Sequence, residues 1–246
     1  MDDEIKQQGS VRILSREYWR DAAKLLSNTR VLTYAAMIIA LRVAVKLWRI
    51  PIADGLFLTF DCYVNAIGSI VYGPVVALLV GAVSDSLGCI IAPSGPYFFP
   101  FIVVEMSSSF IFALFLWRQK LGPYRVLLSK FSVNFVSNII LTSLIMKWNY
   151  AVVYGSEKAY PFINAVRIVK NLITFPIESM LICIILGALI KPLKILKLIR
   201  PDQEEMKFDT KHIVTIAVLT LLSIALILFY IFFLKDYLDA HNIKLL

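Results

Sequence analysis

Apolar stretches long enough to cross a membrane follow one another along this chain, and that succession constrains the fold more than any single motif. They run at roughly 31–48, 56–72, 74–93, 98–117, 124–146, 161–190 and 213–234. A bilayer core about 30 Å thick is crossed by a helix of about 20 residues. The pattern therefore predicts an all-α polytopic membrane protein, a six-helix bundle with one additional C-terminal transmembrane helix. Composition agrees: 59% of the 246 residues are apolar, and mean hydropathy is +0.76. The second stretch is diluted by Asp61, Asn65 and Gly68, which predicts shielding by protein rather than lipid. The sixth is long and carries Pro176, which predicts a kink. The chain divides into an amphipathic segment at 1–30, a substrate-binding bundle at 31–195, a charged linker at 196–212 and the extra helix with its tail at 213–246.

Charge sets the orientation. With the N-terminus inside, fifteen Lys and Arg fall on inner segments and five on outer ones, a positive-inside bias that places the N-terminus in the cytoplasm and the chain in the cell membrane. The net charge of +8 is then topological, and a nucleic-acid partner is not expected. Residues 1–30 are charged throughout, which predicts no cleavable signal segment. Before the first span, Val11, Leu14, Tyr18, Ala22 and Leu25 recur at helical spacing between cations, the pattern of a short helix on the membrane surface. Cys62, Cys89 and Cys183 are far apart in sequence and lack partner His, so disulfide chemistry, a metal and a cofactor are not expected.

Arg42, Lys46, Lys130, Arg167 and Lys170 lie inside or at the edges of spans, together with Asp61, Asp85, Glu105 and Glu178. A charge at the bilayer centre costs about 2.5–3.5 kcal/mol on insertion scales, so each needs a partner, a wet cavity or an exit to the headgroups. Arg42, Arg167 and Lys170 fall in one leaflet by helix length, where they either receive an anionic small molecule or pair with Asp61, Asp85 and Glu178. The loop GCIIAPSGPYFFPF (Gly88–Phe101) adds Tyr97, Phe98, Phe99 and Phe101, which suit ring stacking or an interfacial aromatic belt. Asn134, Asn138, Thr142 and Ser143 on the fifth span, and Asn171 on the sixth, offer polar contacts.

In the first span, Ala36, Ala40 and Ala44 form one stripe, with Arg42 about 200° away from Ala40 at 100° per residue. Small residues at this spacing let a second helix approach closely, within the bundle or from a partner. One helix thus offers a packing face and, opposite it, a cation for the bundle interior.

Three stretches resemble the substrate-specific (S) components of energy-coupling factor (ECF) vitamin transporters, closest to the folate branch: LTYAAMIIALRVAVK (Leu32–Lys46), FLTFDCYVNAIGSIVYGPVVALLVGAVSDSLGCIIAPSGPYF (Phe57–Phe98) and VRIVKNLITFPIE (Val166–Glu178). The resemblance spans about 15–195 and includes GPxxxxxxGxxxDxxG from Gly73 to Gly88. It implies a six-helix subunit that binds a vitamin from outside and topples when it docks on a T component and two ATPase subunits. Ala36 and Ala40 would meet the T component, with Ala44 extending the stripe. A folate-like molecule would contact Arg42, Asp61, Asp85, Tyr97, Phe98, Phe99, Phe101, Glu105, Asn138, Arg167, Lys170 and Asn171. The loop reads Tyr97-Phe98-Phe99-Pro100-Phe101-Ile102 where the branch carries a YFPGFT-like motif, and Glu105 stands where a small residue is usual.

The chain has no Gly-x4-Gly-Lys-Ser/Thr phosphate loop, so ATP hydrolysis belongs to partners. Intramembrane hydrolysis is disfavoured, because both His flank the last span and no second catalytic Asp accompanies Asp85. A different water-soluble vitamin, or a structural membrane protein with internally paired charges, are the other readings.

Overall fold

The computed structural model describes residues 13, 15–53, 56–91, 98–153, 165–200 and 209–229. Val11, Leu14, Tyr97 and the 201–208 part of the linker lie outside these residues, as does the start of the sixth predicted span. Helix α1 (Arg16–Lys24) starts at Ser15, whose hydroxyl accepts from the Tyr18 N–H at 3.2 Å. A short 3₁₀ turn leads to Asn28, whose side chain caps α2 (Thr29–Lys46) by accepting from the Arg30 and Val31 N–H groups. The extended backbone of Asn28 lets the two helices meet at 79°.

Strands β1 (Arg49–Ala53) and β2 (Leu56–Thr59) pair antiparallel, so the second predicted span begins as a hairpin and becomes helical only at Asp61. Asp54-Gly55, a strong hairpin dipeptide, stands between the strands in sequence, and it outweighed the apolar run around it. Helix α3 (Asp61–Ile91) contains the second and third predicted spans, divided at Gly73, where φ is 66° and ψ 177°. A side chain there would be strained by the backbone and would meet the Trp117 indole at 2.9 Å. The halves are 61–72, about 18 Å long, and 74–91, about 27 Å.

Helix α4 (Ile102–Leu116) follows a 3₁₀ turn at Phe99–Phe101. The next transmembrane stretch is α5 (Pro123–Ser132), a π-helical segment (Val133–Leu141) and α6 (Thr142–Val153). Helices α7 (Ala165–Ile195) and α8 (Thr210–Phe229) complete the described chain, with α7 continuing through Pro176. Among the described residues four helical stretches are long and apolar enough to cross a membrane: Asp61–Ile91, Phe99–Leu116, Pro123–Val152 and Lys170–Ile195. Apart from the hairpin the described residues are all-α.

Two apolar layers hold the bundle. Tyr63, Ile70, Phe112, Leu116, Ile182 and Leu186 join α3, α4 and α7, while Val31, Ala35 and Ile38 of α2 pack on Val76, Ala77 and Val80 of α3. Gly81 allows close approach, since a Cβ there would stand 2.8 Å from the Glu105 carbonyl oxygen on α4. Helix α8 runs along α7, where the Thr220 hydroxyl meets the Met180 sulfur at 3.7 Å, and its His212 packs on Tyr124 of α5 with ring centroids 4.5 Å apart.

The face of α1 that its spacing assigns to lipid is used for protein packing. Tyr18 and Ala22 are fully buried, and the Tyr18 ring meets Trp117 edge-on at 4.9 Å. Trp117 in turn covers Gly73, so α1 is seated on the break in α3. The Arg118 guanidinium donates to Asp21 at 2.7 Å and holds its carboxyl below the usual value of 3.8. Burial pushes the Tyr18 phenol from 10.0 up to about 12, against the pull of Arg118 and Arg125. At nine residues α1 is too short to span. The Asp21 contribution is present above its unfolded value and lost as acid protonates the folded carboxyl. That of Tyr18 is present below 10.0 and lost as pH rises through about 12. Alkaline titration followed by near-UV circular dichroism should therefore show α1 leaving Trp117 above pH 10.0. Tyr18→Phe should abolish that transition without loss of stability, because the buried hydroxyl has no hydrogen-bond partner among the described residues.

Candidate functional site

Five of the charged side chains in the spans, Arg42, Lys46, Asp61, Asp85 and Glu105, gather at the inner face of α2. Arg42 is completely buried, and its Nε and Nη2 donate to the two carboxylate oxygens of Asp61 at 2.9 and 2.8 Å. Nη2 also donates to Glu105 Oε2, and Nη1 to the Ser109 hydroxyl at 3.0 Å. One turn further along, Lys46 reaches Asp85 at 3.5 Å and the second oxygen of Glu105 at 3.7 Å. Helix period explains the arrangement: residues four apart share a face, so Arg42 and Lys46 look the same way.

The glycine and aspartate positions of the Gly73–Gly88 motif now have separate physical jobs. Gly73 breaks the helix, Gly81 admits α4, and Asp85 pairs with Lys46. Gly88 makes room for the Lys46 stem, whose Cδ would be 2.8 Å from a Cβ at that position. The cluster joins two cations to three carboxyl groups, leaving one carboxyl without a cation of its own. Glu105 is its most accessible member, with 26% of its side chain exposed, followed by Asp61 at 18% and by Asp85 and Lys46 at 16% each, whereas Arg42 is sealed behind them. Of the two readings of Arg42, ligand contact or pairing within the bundle, its burial and its bonds to Asp61, Glu105 and Ser109 support the pairing. The cluster can accept hydrogen bonds from a donor-rich group.

A second polar layer lies across the bundle. The π-helical turn shifts the register of its helix, and Thr142 donates to the Ser137 carbonyl five residues back at 2.8 Å. Asn138 Nδ2 donates to Asn134 Oδ1 at 3.1 Å and to Asn171 Oδ1 at 3.0 Å. Asn134 in turn donates to the Asn171 carbonyl at 3.2 Å. The Ser107 and Ser137 hydroxyls meet at 2.8 Å, and Asn65 donates to Ser108 at 3.2 Å. Arg167, partly buried on the first turn of α7, donates to the Ser143 hydroxyl at 3.3 Å. Lys170 is also partly buried one turn on. Neither joins the Arg42 cluster in the ion pairs described. Deeper in the bundle Lys130 pairs with Glu178 at 2.8 Å.

Among the aromatics, Phe98 stands edge-on to Trp148 at 5.4 Å and to Phe101 at 6.2 Å, while Phe99 is 66% exposed. The other face of α2 carries the alanine stripe. Ala36, Ala40 and Ala44 are all exposed, as are Met37 and Leu41 beside them, so the stripe is not used for packing among the described residues.

The family model for the ECF transporter, substrate-specific component, matches residues 30–186, well over half of the chain. This chain belongs to that family. It is the substrate-specific component of a transporter rather than an enzyme, and an integral membrane protein. The folate transporter FolT of Clostridium novyi (strain NT) is 27% identical over 157 residues, covering 64% of this chain and 88% of that protein. FolT of Leuconostoc mesenteroides subsp. mesenteroides is 32% identical over 108 residues, 44% of this chain and 58% of that one. A crystal structure of FolT bound with folic acid superposes with a TM-score of 0.52 at 25% identity, covering 62% of this chain and 88% of that one. The ECF match ends at residue 186, so helix α8 lies wholly outside it.

Sequence reasoning for this S component singled out Arg42, Asp61, Asp85 and Glu105; Asp61 and Glu105 bond Arg42, and Asp85 joins them through Lys46. It left out Lys46 and Ser109 from the site. The signal for Ser109 was present in Ser107-Ser108-Ser109, three hydroxyls in an otherwise apolar span. Lys46 shares a face with Arg42 by spacing alone. Trp148 carried no signal, since a lone Trp near a span end reads as an interfacial anchor.

Proposed function

We propose that this S component captures folate or a related pterin outside the cell and delivers it inward after docking on an ECF T component and two ATPase subunits. The observation that carries the reading is the likeness to FolT proteins, among them one whose structure holds folic acid. The site chemistry supports it. A pterin ring presents amino and ring N–H donors, and the exposed edges of Glu105 and Asp61 are acceptors. Asp85 holds Lys46 at the rim, and Asn138 and Asn171 supply amide contacts. Phe98, Phe99 and Phe101 pack on the rings, with Tyr97 from the adjoining loop. Arg167 and Lys170 receive the glutamate carboxylates. Arg42 acts as a positioning residue that fixes both acceptor carboxylates.

The exposed Ala36–Ala40–Ala44 stripe is the T-component docking face, on the side of α2 opposite the ligand cluster. The N-terminus and α1 are cytoplasmic, by the charge bias of the segments between spans. Residues 31–195 form the transport unit, and α8 is an addition carried on α7. The test is to purify the chain alone in detergent and identify any copurifying small molecule by absorbance and mass spectrometry. A stoichiometric folate or pterin supports the proposal. A different vitamin keeps the transport role and moves the specificity, with Glu105 and the altered Tyr97–Ile102 loop as the first residues to re-examine.

A further inference from the structure

The elbow between α1 and α2 forms an open pocket of about 570 Å³ against the end of α7, remote from the charge cluster just described. Lys24, Arg30 and Lys197 line it, with the polar side chains of Ser27, Asn28 and Thr29, and no acidic residue does among the described residues. The cavity therefore concentrates three cations from three separate segments of chain. Lys24 also lies 3.8 Å from Asp21, one turn back on α1. Lys197 sits at φ 54°, a left-handed backbone that favours glycine. Its N–H donates to the Lys194 carbonyl and that of Leu198 to the Leu193 carbonyl, closing α7. A cation is thus held at a position whose backbone would suit glycine better.

The surroundings locate the cavity at the membrane boundary. Helix α2 begins and α7 ends there, and Leu26, Ile195 and Leu196 flank it with 38%, 80% and 60% of their surfaces exposed. Cations above exposed apolar side chains match the two parts of a phospholipid, a phosphate over acyl chains. We propose that this elbow is a binding site for a phosphate-bearing anion, supplied by the headgroup of an anionic phospholipid. The site ties α1 to the bundle at the root of the helix that carries the exposed alanine stripe. It rests on family membership and does not depend on which vitamin is carried.

The experiment measures thermal stabilisation of the full chain in detergent on titration with phosphatidylglycerol, phosphatidylcholine or inorganic phosphate. Phosphatidylglycerol should raise Tm saturably where phosphatidylcholine does not. The triple variant Lys24→Gln/Arg30→Gln/Lys197→Gly should need at least tenfold more lipid for the same shift. Arg30→Lys, which keeps the charge, should behave as the parent does, so a fold defect in the triple variant cannot be mistaken for loss of the site. Lys197→Gly alone should raise the lipid-free Tm or leave it unchanged. Protection by inorganic phosphate at the same concentrations would keep the anion site and assign it a soluble phosphate. Equal protection by both lipids, or an unchanged phosphatidylglycerol response in the triple variant, would overturn the proposal.

Discussion

Arg42→Met should leave almost no folded, monodisperse protein. Arg42 is the fully buried hub on which Asp61 and Glu105 both depend, and its removal strands two carboxyl groups with only Lys46 nearby. Breaking a single buried pair by deleting one partner costs about 3–5 kcal/mol, against a total stability of about 5–15 kcal/mol for a typical domain. Here two acceptors lose their partner at once. Arg42→Lys should recover only part of the loss, because an ammonium cannot reproduce the two parallel bonds to Asp61 and the third to Ser109. Neutralising the stranded acids, as Arg42→Met/Asp61→Asn/Glu105→Gln, should restore folding but not ligand binding. Size-exclusion profiles and Tm values read all three outcomes. A normal Tm for Arg42→Met would mean that the network contributes little to the fold.

The second large effect is on transport with the fold intact. Ala36→Trp/Ala40→Trp should reduce uptake in cells supplying the ECF partners to background, while folic acid affinity of the purified chain stays within about twofold. Helices come close only where their facing residues are small, and two indoles on the stripe hold a partner helix away. Both positions are exposed and point away from Arg42, so neither substitution reaches the charge cluster. Loss of ligand binding together with uptake would instead place the stripe in an internal contact.

Much of this architecture is legible in the chain because membrane spans announce themselves by length and apolarity, as α4 and the Pro123–Val152 stretch did. The Ala36–Ala40–Ala44 stripe and its opposition to Arg42 follow from helix period alone. Other features depended on forces that periodicity does not carry. The hairpin at 49–59 was hidden because an apolar run beside a weak span reads as more helix, although Asp54-Gly55 was there to be weighed. The break between the two halves of α3 turns on one positive φ at Gly73. Burial of Tyr18 on Trp117 was obscured because an amphipathic face looks the same whether it meets lipid or protein. At the site, the residue types named the participants but not the pairing. Spacing left Arg42 open between an anionic ligand and a partner such as Asp61, and only the packing of α3 and α4 on α2 brings Asp61 and Glu105 to its guanidinium.

The measurement that bears most directly on the central claim is calorimetric titration of folic acid onto the purified chain in detergent, without its transport partners. The account predicts saturable binding of one molecule per chain with Kd below about 1 μM, equivalent to more than about 8 kcal/mol. Absence of binding at that level by a folded, ligand-free sample would contradict the folate assignment.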